Sequence, residues 1–259
     1  MSLNVLHVIA RMNVGGTAKY VQILVKNIPN SKLATGYTQG AEIEDPATLA
    51  LNPIRIKHLG RKISLNNDIR AYFELKKIIR ELKPDVVHSH TFKAGLISRL
   101  IKGSHKKVHT YHGHLFEDNS FSNWEKKIIR FVEMKLAKKS DLLISVGVKV
   151  GQDLRKLGVG KNNYWVSIPP GVTPLQLIDK NSARKTLRIK EDGLIFGWMA
   201  RIEKVKNPEL FIEVARGLPN VNFAMAGGGS LYEGISKISP KNVKMIGWAN
   251  ASVFWSAID

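Results

Sequence analysis

The sequence predicts an α/β protein made of two parallel-sheet units. Three observations carry this reading. Short apolar runs of strand length alternate with stretches of helical period almost from the first residue; the alternation breaks at Pro169-Pro170-Gly171 and then restarts; and glycine-rich turns recur where an expected strand gives way to a helix. Parallel strands need a crossover between them and the crossover is usually a helix, so such alternation is the sequence form of a parallel sheet covered by helices. With 259 residues and 44% hydrophobic content the chain can bury a substantial core and exceeds the usual size of one domain.

Taken in order, residues 5–10 read as the first strand and 16–28 as a helix behind a Gly15-Gly16 turn. Weaker strands are expected near 35–39 and 55–59, and Ile69, Tyr72, Phe73, Ile79 and Leu82 mark one face of a helix that Pro84 stops. A buried strand at 85–88, a helix at 93–102 and a strand at 107–111 follow. The helix at 122–139 is expected to bury Trp124, Ile128, Phe131, Val132 and Leu136 and to expose Lys126, Lys127, Arg130, Lys135 and Lys138. A strand at 142–145, a helix at 148–157 and a strand at 164–168 complete the first unit, 1–168, because two prolines and a glycine continue neither a helix nor a central strand. In the second unit, 169–259, a short helix at 182–187 precedes a strand at 194–199. Asn207-Pro208 then supplies an N-cap and a proline at the first helical position for a helix ending at Arg216. Strands at 221–226 and 243–246 flank a short helix at 231–237, and a last helix starts near Ala251.

Composition narrows the chemistry. Without cysteine there are no disulfides, cysteine-ligated zinc, iron–sulfur clusters or thiol nucleophiles, which suits a reducing compartment and makes the cytoplasm the expected location. The N-terminal run is too short for a signal peptide and is interrupted by Arg11, and nowhere do eighteen apolar residues follow one another. The formal net charge is +19, with 28 basic residues against 13 acidic in 1–168 and 12 against 8 in 169–259. A surface of that sign attracts polyanions: nucleic acid, phosphorylated substrates or the anionic face of a membrane. Nucleic acid is disfavoured, since aromatic residues are not interleaved with the basic ones and no helix-turn-helix or zinc-finger pattern is present.

Candidate chemistry sits in the turns. Gly15 and Gly16 would bare a helix N-terminus, an arrangement that favours a phosphate and equally serves a plain tight turn. Arg201 and Lys206 follow an expected strand and precede a helix, at the carboxyl edge where open α/β sheets bind ligands, and two cations there can hold a diphosphate. Gly227-Gly228-Gly229 again separates a strand from a helix and permits close approach to a nucleotide or a flexible turn. His88, His90, His109, His112 and His114 gather at strand ends; a zinc site could be drawn from them, but no acidic ligand set accompanies them, and hydrogen bonding to a polar substrate or to backbone is the simpler use.

Together these pieces resemble the family 4 glycosyltransferases of the GT-B fold. The resemblance runs through the Gly15-Gly16 loop, His88-Ser89-His90-Thr91, Thr110-Tyr111-His112-Gly113, Ile168-Pro169-Pro170-Gly171-Val172, the Gly197-to-Lys206 stretch, the segment 226–231 and Val243-Lys244-Met245-Ile246-Gly247. It implies two Rossmann-like domains, an acceptor-side one and a partial nucleotide-sugar-binding one. It implies transfer of a sugar from a nucleotide diphosphate donor, with retention of configuration and no obligatory metal or cofactor. By the same resemblance Arg201 and Lys206 bind the diphosphate, Gly15 and Gly16 close on the donor phosphates, and His112 contacts the transferred sugar. Gly227, Gly229 and Gly247 border the nucleotide, and His88, His90 and His114 lie on the acceptor side. Thr173 departs from the aspartate common after Gly-Val, and the chain stops before the place of the family's E-x7-E motif. The chain alone is therefore expected to be weakly active or inactive, with a non-catalytic acceptor- or partner-binding fragment as the alternative. A saccharide or lipid-linked acceptor in surface polysaccharide synthesis is expected, at the inner face of the membrane, given the basic first unit and the amphipathic helix at 122–139.

Overall fold

The computed structural model describes residues 2–40, 42–60, 64–113, 116, 122–190 and 192–259. It divides into two compact units, Met1–Val172 and Thr173–Asp259. In the first, strands β1 (Val5–Ile9), β2 (Ser31–Thr35), β3 (Ile54–Arg55), β4 (Val86–His90), β5 (Lys106–Tyr111), β6 (Leu142–Ser145) and β7 (Trp165–Ser167) form one sheet in the order β3-β2-β1-β4-β5-β6-β7. Every pairing is parallel. The strand order therefore reverses between β1 and β4, and open α/β sheets open a ligand crevice outside the carboxyl ends at such a switch point.

The strands' alternation sorts the core onto two faces. Leu6, Val8, Ala34 and Val87 meet Ala71, Leu75 and Ile79 of α2 (Leu65–Leu82) and Ala94 and Ile97 of α3 (Phe92–Leu100). On the opposite face Ile9 and Leu33 meet Ala18, Tyr20 and Val21 of α1 (Gly16–Asn27). The second strand lies at 31–35 rather than the expected 35–39. Its register runs from Val5↔Ser31 to Ile9↔Thr35, and Gly36 follows at a point where a side chain would stand 1.8 Å from the Leu59 carbonyl oxygen.

Two helices bury only part of the face the apolar count predicts: Ile79 of the one and Leu136 of the other are buried, and Tyr72 and Leu82 pack against the core. In α2 the stripe Ala71, Leu75, Ile79 is buried at i, i+4, i+8, whereas Ile69 and Phe73 are exposed. The small Ala71 permits close approach to the sheet, and Asp68 on the same helix pairs with the buried Lys93 of α3. In α4 (Asn123–Ala137) the buried residues are Ile129, Glu133, Leu136 and Ala137, while Trp124, Ile128 and Phe131 point outward. The cause is Glu133, fully buried, whose carboxylate accepts both hydrogen bonds from Arg99 Nη2 (2.8 and 2.9 Å) and one from the Tyr111 hydroxyl (2.7 Å). Burial works against the Arg99 charge, but the Glu133 carboxylate and Tyr111 more than offset it and hold its pKa above the ordinary value. Burial first, then Glu133, likewise raises that of Tyr111. After α4, α5 (Val148–Lys156) joins β6 to β7.

The second unit has strands β8 (Ile195–Met199), β9 (Asn222–Ala226) and β10 (Val243–Gly247), paired in parallel in the order β10-β9-β8. Helices α6 (Lys180–Leu187), α7 (Pro208–Gly217), α8 (Tyr232–Ile238) and α9 (Ala251–Ala257) surround it. Ile202, Ile212, Phe223, Met225 and Ile235 fill one side, and Ile195, Ala224, Ala226 and Phe254 the other. Arg184 of α6 donates to the Ala257 carbonyl at 3.0 Å and pairs with Asp259 at 2.6 Å, clamping α6 to the end of α9. Asn207 occupies the N-cap of α7, but its side chain caps nothing. Its backbone is left-handed (φ 47°) and closes a 3-10 turn over Lys204–Lys206, with Pro208 as the first helical residue.

Removing one partner of a buried ion pair leaves the other charge unsolvated. Glu133→Gln is therefore expected to lower the unfolding free energy in guanidinium titration by roughly 3 kcal/mol or more. Lys106→Ala breaks only the exposed Lys106–Asp141 pair (3.1 Å) and is expected to cost under ~1 kcal/mol. Equal effects would show that the Arg99–Glu133 network does not anchor the unit.

Candidate active-site elements

In the first unit the register of three strands builds the candidate site. His7 of β1 lies beside His88 of β4, Ile9 beside His90, and His90 beside Thr110 of β5. Partners in a parallel ladder share a face, so His7, His88 and His90 converge on the face covered by α1. They form a chain of imidazoles. His7 Nδ1 is 3.2 Å from His90 Nε2, His90 Nδ1 is 3.1 Å from His112 Nε2, and the far end, His7 Nε2, reaches Ser31 Oγ at 3.5 Å. His88 bonds Thr110 Oγ1 at 2.7 Å, and the Tyr20 ring of α1 stands edge-on to His112 with centroids 4.9 Å apart.

Burial sets the protonation of this chain. It lowers the pKa of His7 and of His112 to about 4, and pushes His88 and His90 well below the usual histidine range, with the neighbouring imidazoles adding to the shift. The rings are thus neutral at pH 7, each with one N–H and one lone pair. Hydrogen bonds in series between neutral imidazoles must all run in one direction, so the tautomer of His112 is tied to those of His90 and His7. His7, His88 and His90 also form the one group among the described residues whose ring nitrogens, all within 4.8 Å of one another, could hold a metal ion. Those nitrogens already face each other, Thr110 and His112, and no carboxylate belongs to the group.

The expected site residues divide as follows. Gly15 and Gly16 open α1, and the space where a side chain would grow from Gly16, or from Gly113 beside His112, is empty to 4 Å. His88 and His90, expected on the acceptor side, are buried (7% and 0% exposed), whereas His112 is partly open. His109 points to the other face of the sheet, bonded to Ser89 Oγ at 2.8 Å. His114 lies outside the described residues. Thr91, directly after β4, has φ +68°, a strained value for a β-branched residue, and its hydroxyl accepts from the Ala10 amide at 3.4 Å. His7 and Tyr20 were not singled out from the sequence, and Thr91 only as the end of the His88-Ser89-His90-Thr91 segment. In β1 His7 shares a face with Val5 and Ile9, but only the strand order reveals that His88 and His90 share it too.

In the second unit the loops after β8, β9 and β10 are stitched at the carboxyl edge. The Ala200 amide donates to the Ala226 carbonyl (3.2 Å), Ile202 to Gly228 (2.9 Å) and Gly227 to Gly247 (2.7 Å). Gly227 and Gly229 have φ of +134° and +152°, and a side chain on them would stand 1.9 Å from the Ala200 oxygen and 2.6 Å from the Ile202 oxygen. Gly247 is also left-handed, at φ +76°. The close approach these loop glycines permit is thus made by the neighbouring loop. Glu203 crosses between loops, accepting from Ser230 N (3.1 Å) and Ser230 Oγ (2.7 Å), and those bonds hold its carboxyl pKa down. Arg201 and Lys206 flank it on the same loop, both exposed, and among the described residues neither forms an ion pair. A cavity of about 190 Å³ lined by Arg188, Lys190, Lys241 and Lys244 lies instead at the amino edge, around Ile195, Asn222 and Val243. The ligand rule for parallel sheets points to the other edge.

With this geometry established, comparison with known proteins assigns the class. Residues 14–174 match the family model Glycosyltransferase Family 4, and the chain belongs to that family. The α/β units with parallel sheets match glycosyltransferases of the GT-B fold. A sucrose-phosphate synthase from Thermosynechococcus elongatus aligns with TM-score 0.77 at 16% identity, over 98% of this chain and 74% of that one. Anabaena HepE in complex with UDP and glucose aligns with TM-score 0.72 at 14% identity, over 99% and 72%. In sequence, the chain is 28% identical over 212 residues to the Escherichia coli UDP-Gal:α-D-GlcNAc-diphosphoundecaprenol α-1,3-galactosyltransferase, covering 74% of this chain and 54% of that protein. It is 25% identical over 195 residues to the putative glycosyltransferase EpsD of Bacillus subtilis, covering 67% and 49%. The chain thus spans about half the length of these two relatives.

Two tests follow from the site. The histidines' folded pKa lies below the unfolded 6.5, so the unfolded state binds more protons between the two values. Their contribution to stability is complete above pH 6.5 and falls toward pH 4 by up to about 1.4 kcal/mol per pH unit for each histidine. Denaturant midpoints of the chain and of His7→Phe across this range are expected to converge as the pH falls; parallel curves would contradict it. Separately, Gly227→Ala is expected to cost at least ~2 kcal/mol in thermal unfolding, and Gly16→Ala less than about 0.5 kcal/mol.

Proposed function

We propose that the chain serves sugar transfer from a nucleotide diphosphate donor to a lipid-linked or saccharide acceptor, in the assembly of a cell-surface polysaccharide, and that by itself it binds donor but turns it over weakly or not at all. The observation that carries this reading is the exposed pair Arg201 and Lys206, unpaired among the described residues and held where β8 gives way to α7. Folding has fastened the loop under them, through Glu203 and Ser230, without neutralising them. Two fixed cations at the carboxyl edge bind a diphosphate and stabilise the charge that gathers on it as the sugar departs. That role needs no metal ion, and we assign none.

In the first unit Gly15 and Gly16 leave room beside the α1 amides for donor phosphates, and His112 meets the transferred sugar. His90 and His7 are positioning residues: they fix the ring and tautomer of His112 through the imidazole chain. Gly227, Gly229 and Gly247 shape the floor beside the nucleotide. Transfer proceeds with retention of configuration, as the family resemblance implies. The relatives support the substrate classes by their names: the Escherichia coli enzyme uses a UDP-sugar and a diphosphoundecaprenol-linked acceptor, and HepE binds UDP with glucose.

Calorimetric titration of the chain with UDP tests the reading without requiring turnover. Binding is expected for the unaltered chain, weakened on the order of 10- to 100-fold in Arg201→Ala and in Lys206→Ala, the loss of one charge-assisted contact each. Absence of binding, or affinity unchanged in both variants, would remove the donor site.

A further inference from the structure

Among the described residues, α4 presents an outward face without a partner. Trp124, Ile128 and Phe131 follow one another at i, i+4 and i+7, and are 64%, 51% and 60% exposed. Three large apolar groups in one stripe are not the scattered singles normal on a surface. Exposed Lys127, Lys135 and Lys138 and the partly exposed Lys126 accompany them, and among the described residues none of these lysines pairs with a carboxylate. Lys135 Nζ stands 5.3 Å from the centre of the Phe131 ring. Arg130 is pinned beside the stripe by its bond to the Leu157 carbonyl, 2.6 Å.

Of the helix's two acids only Glu125, in the first turn, reaches solvent. Glu125 is used in the capping box with Ser122, accepting from its amide at 2.8 Å, and Glu133 is buried against Arg99. Beyond that first-turn carboxylate, which stays ionised, the large side chains that face outward are apolar or cationic. A face of that composition suits an interface that is apolar below and anionic at its rim, with Trp at the level where apolar and wet regions meet.

We propose that α4 is a membrane-docking helix that lies along an anionic bilayer surface, inserting Trp124, Ile128 and Phe131 between headgroups while its lysines meet lipid phosphates. Charge decides for lipid over a protein groove: four lysines, unpaired among the described residues, accompany the apolar stripe, against one solvent-reaching acid, Glu125 in the first turn. The inference goes beyond the donor chemistry and stands independently of it, since vesicle binding needs neither UDP nor Arg201.

The test is flotation of the whole chain with vesicles of phosphatidylcholine alone and with about one third phosphatidylglycerol, at low and physiological salt. Binding is expected to the anionic vesicles only. The triple change Trp124→Ser, Ile128→Ser, Phe131→Ser, which touches no buried residue, is expected to reduce it at least ~10-fold with the far-ultraviolet dichroism unchanged. Lys127→Glu with Lys135→Glu is expected to do the same, whereas the equal charge change Lys76→Glu with Lys77→Glu on exposed positions of α2 is expected to leave binding nearly intact. Brominated lipid is expected to quench part of the tryptophan emission, a part lost in Trp124→Phe. The proposal is overturned by equal binding to both vesicle types, by equal losses in the α4 and α2 charge variants, or by apolar variants that bind as well as the parent. Concentration-dependent dimerisation abolished by Phe131→Ser, without anionic-vesicle binding, would assign the face to a second copy instead.

Discussion

The buried contact between Arg99 and Glu133 governs more of the first unit than any other single interaction. It ties α3 to α4, and through the Tyr111 hydroxyl it ties both to the last residue of β5, immediately before His112. Two opposite charges at 1% and 0% exposure are tolerable only because almost every polar atom finds a partner: Arg99 Nε donates to Gly95, Nη1 to Tyr111 and Nη2 to Glu133. Such a network contributes little net stability over a well-packed apolar core, but breaking it is costly, so it acts mainly as a fixed register between elements. Two consequences follow. The rotation of α4 is set by Glu133, which turns the aromatic stripe outward, and the carboxyl end of β5 is held where the imidazole chain can reach His112.

The imidazole chain itself depends on neutrality. In a protein with net charge +19, a further buried positive charge would be opposed both by desolvation and by its surroundings, and His109 illustrates the second: its pKa is depressed by burial first and then by Arg99. Neutral rings escape both costs and retain a donor and an acceptor each. The sequence places them by period two on β1 and β4, so that a single register between two parallel strands assembles the group. A slip of β4 by one residue would send His88 and His90 to the α2–α3 face, where Val87 now packs, and leave His7 behind.

Local periodicity made the architecture legible: the alternation of strands and helices, the Pro169-Pro170 break and the turns at Gly15 and Arg201 are written in neighbouring residues. What escaped was information held between distant ones. The burial of Glu133 could not be read from α4, because a carboxylate between lysines looks solvated until Arg99, 34 residues earlier, is placed against it. In α2 the expected face holds at Tyr72, Ile79 and Leu82 and fails at Ile69 and Phe73, since only packing against the sheet centres the buried stripe on Ala71 and Leu75. His7 was missed because a lone histidine in an apolar strand acquires meaning only when the strand order sets it beside His88.

The glycines and the cations show the same distinction at the level of chemistry. Gly16 and Gly227 both precede or lie near a helix after a strand, yet the first faces open space and the second fits against a carbonyl oxygen, so identical residues serve vacancy in one loop and packing in the other. Cations divide likewise. Arg55, Arg99 and Arg184 are consumed by Glu44, Glu133 and Asp259, and their charge is spent on holding elements together. A total of +19 therefore says little by itself about partners. The part of it that can act on a ligand is the remainder that folding leaves unpaired, and among the described residues such cations include the pair on the loop after β8, the lysines along the outer face of α4 and the group at the amino edge of the second sheet. A diphosphate and a sheet of lipid phosphates differ in extent, and so do the first two of these groups: a pair on a stitched loop for the one, a row along a helix for the other.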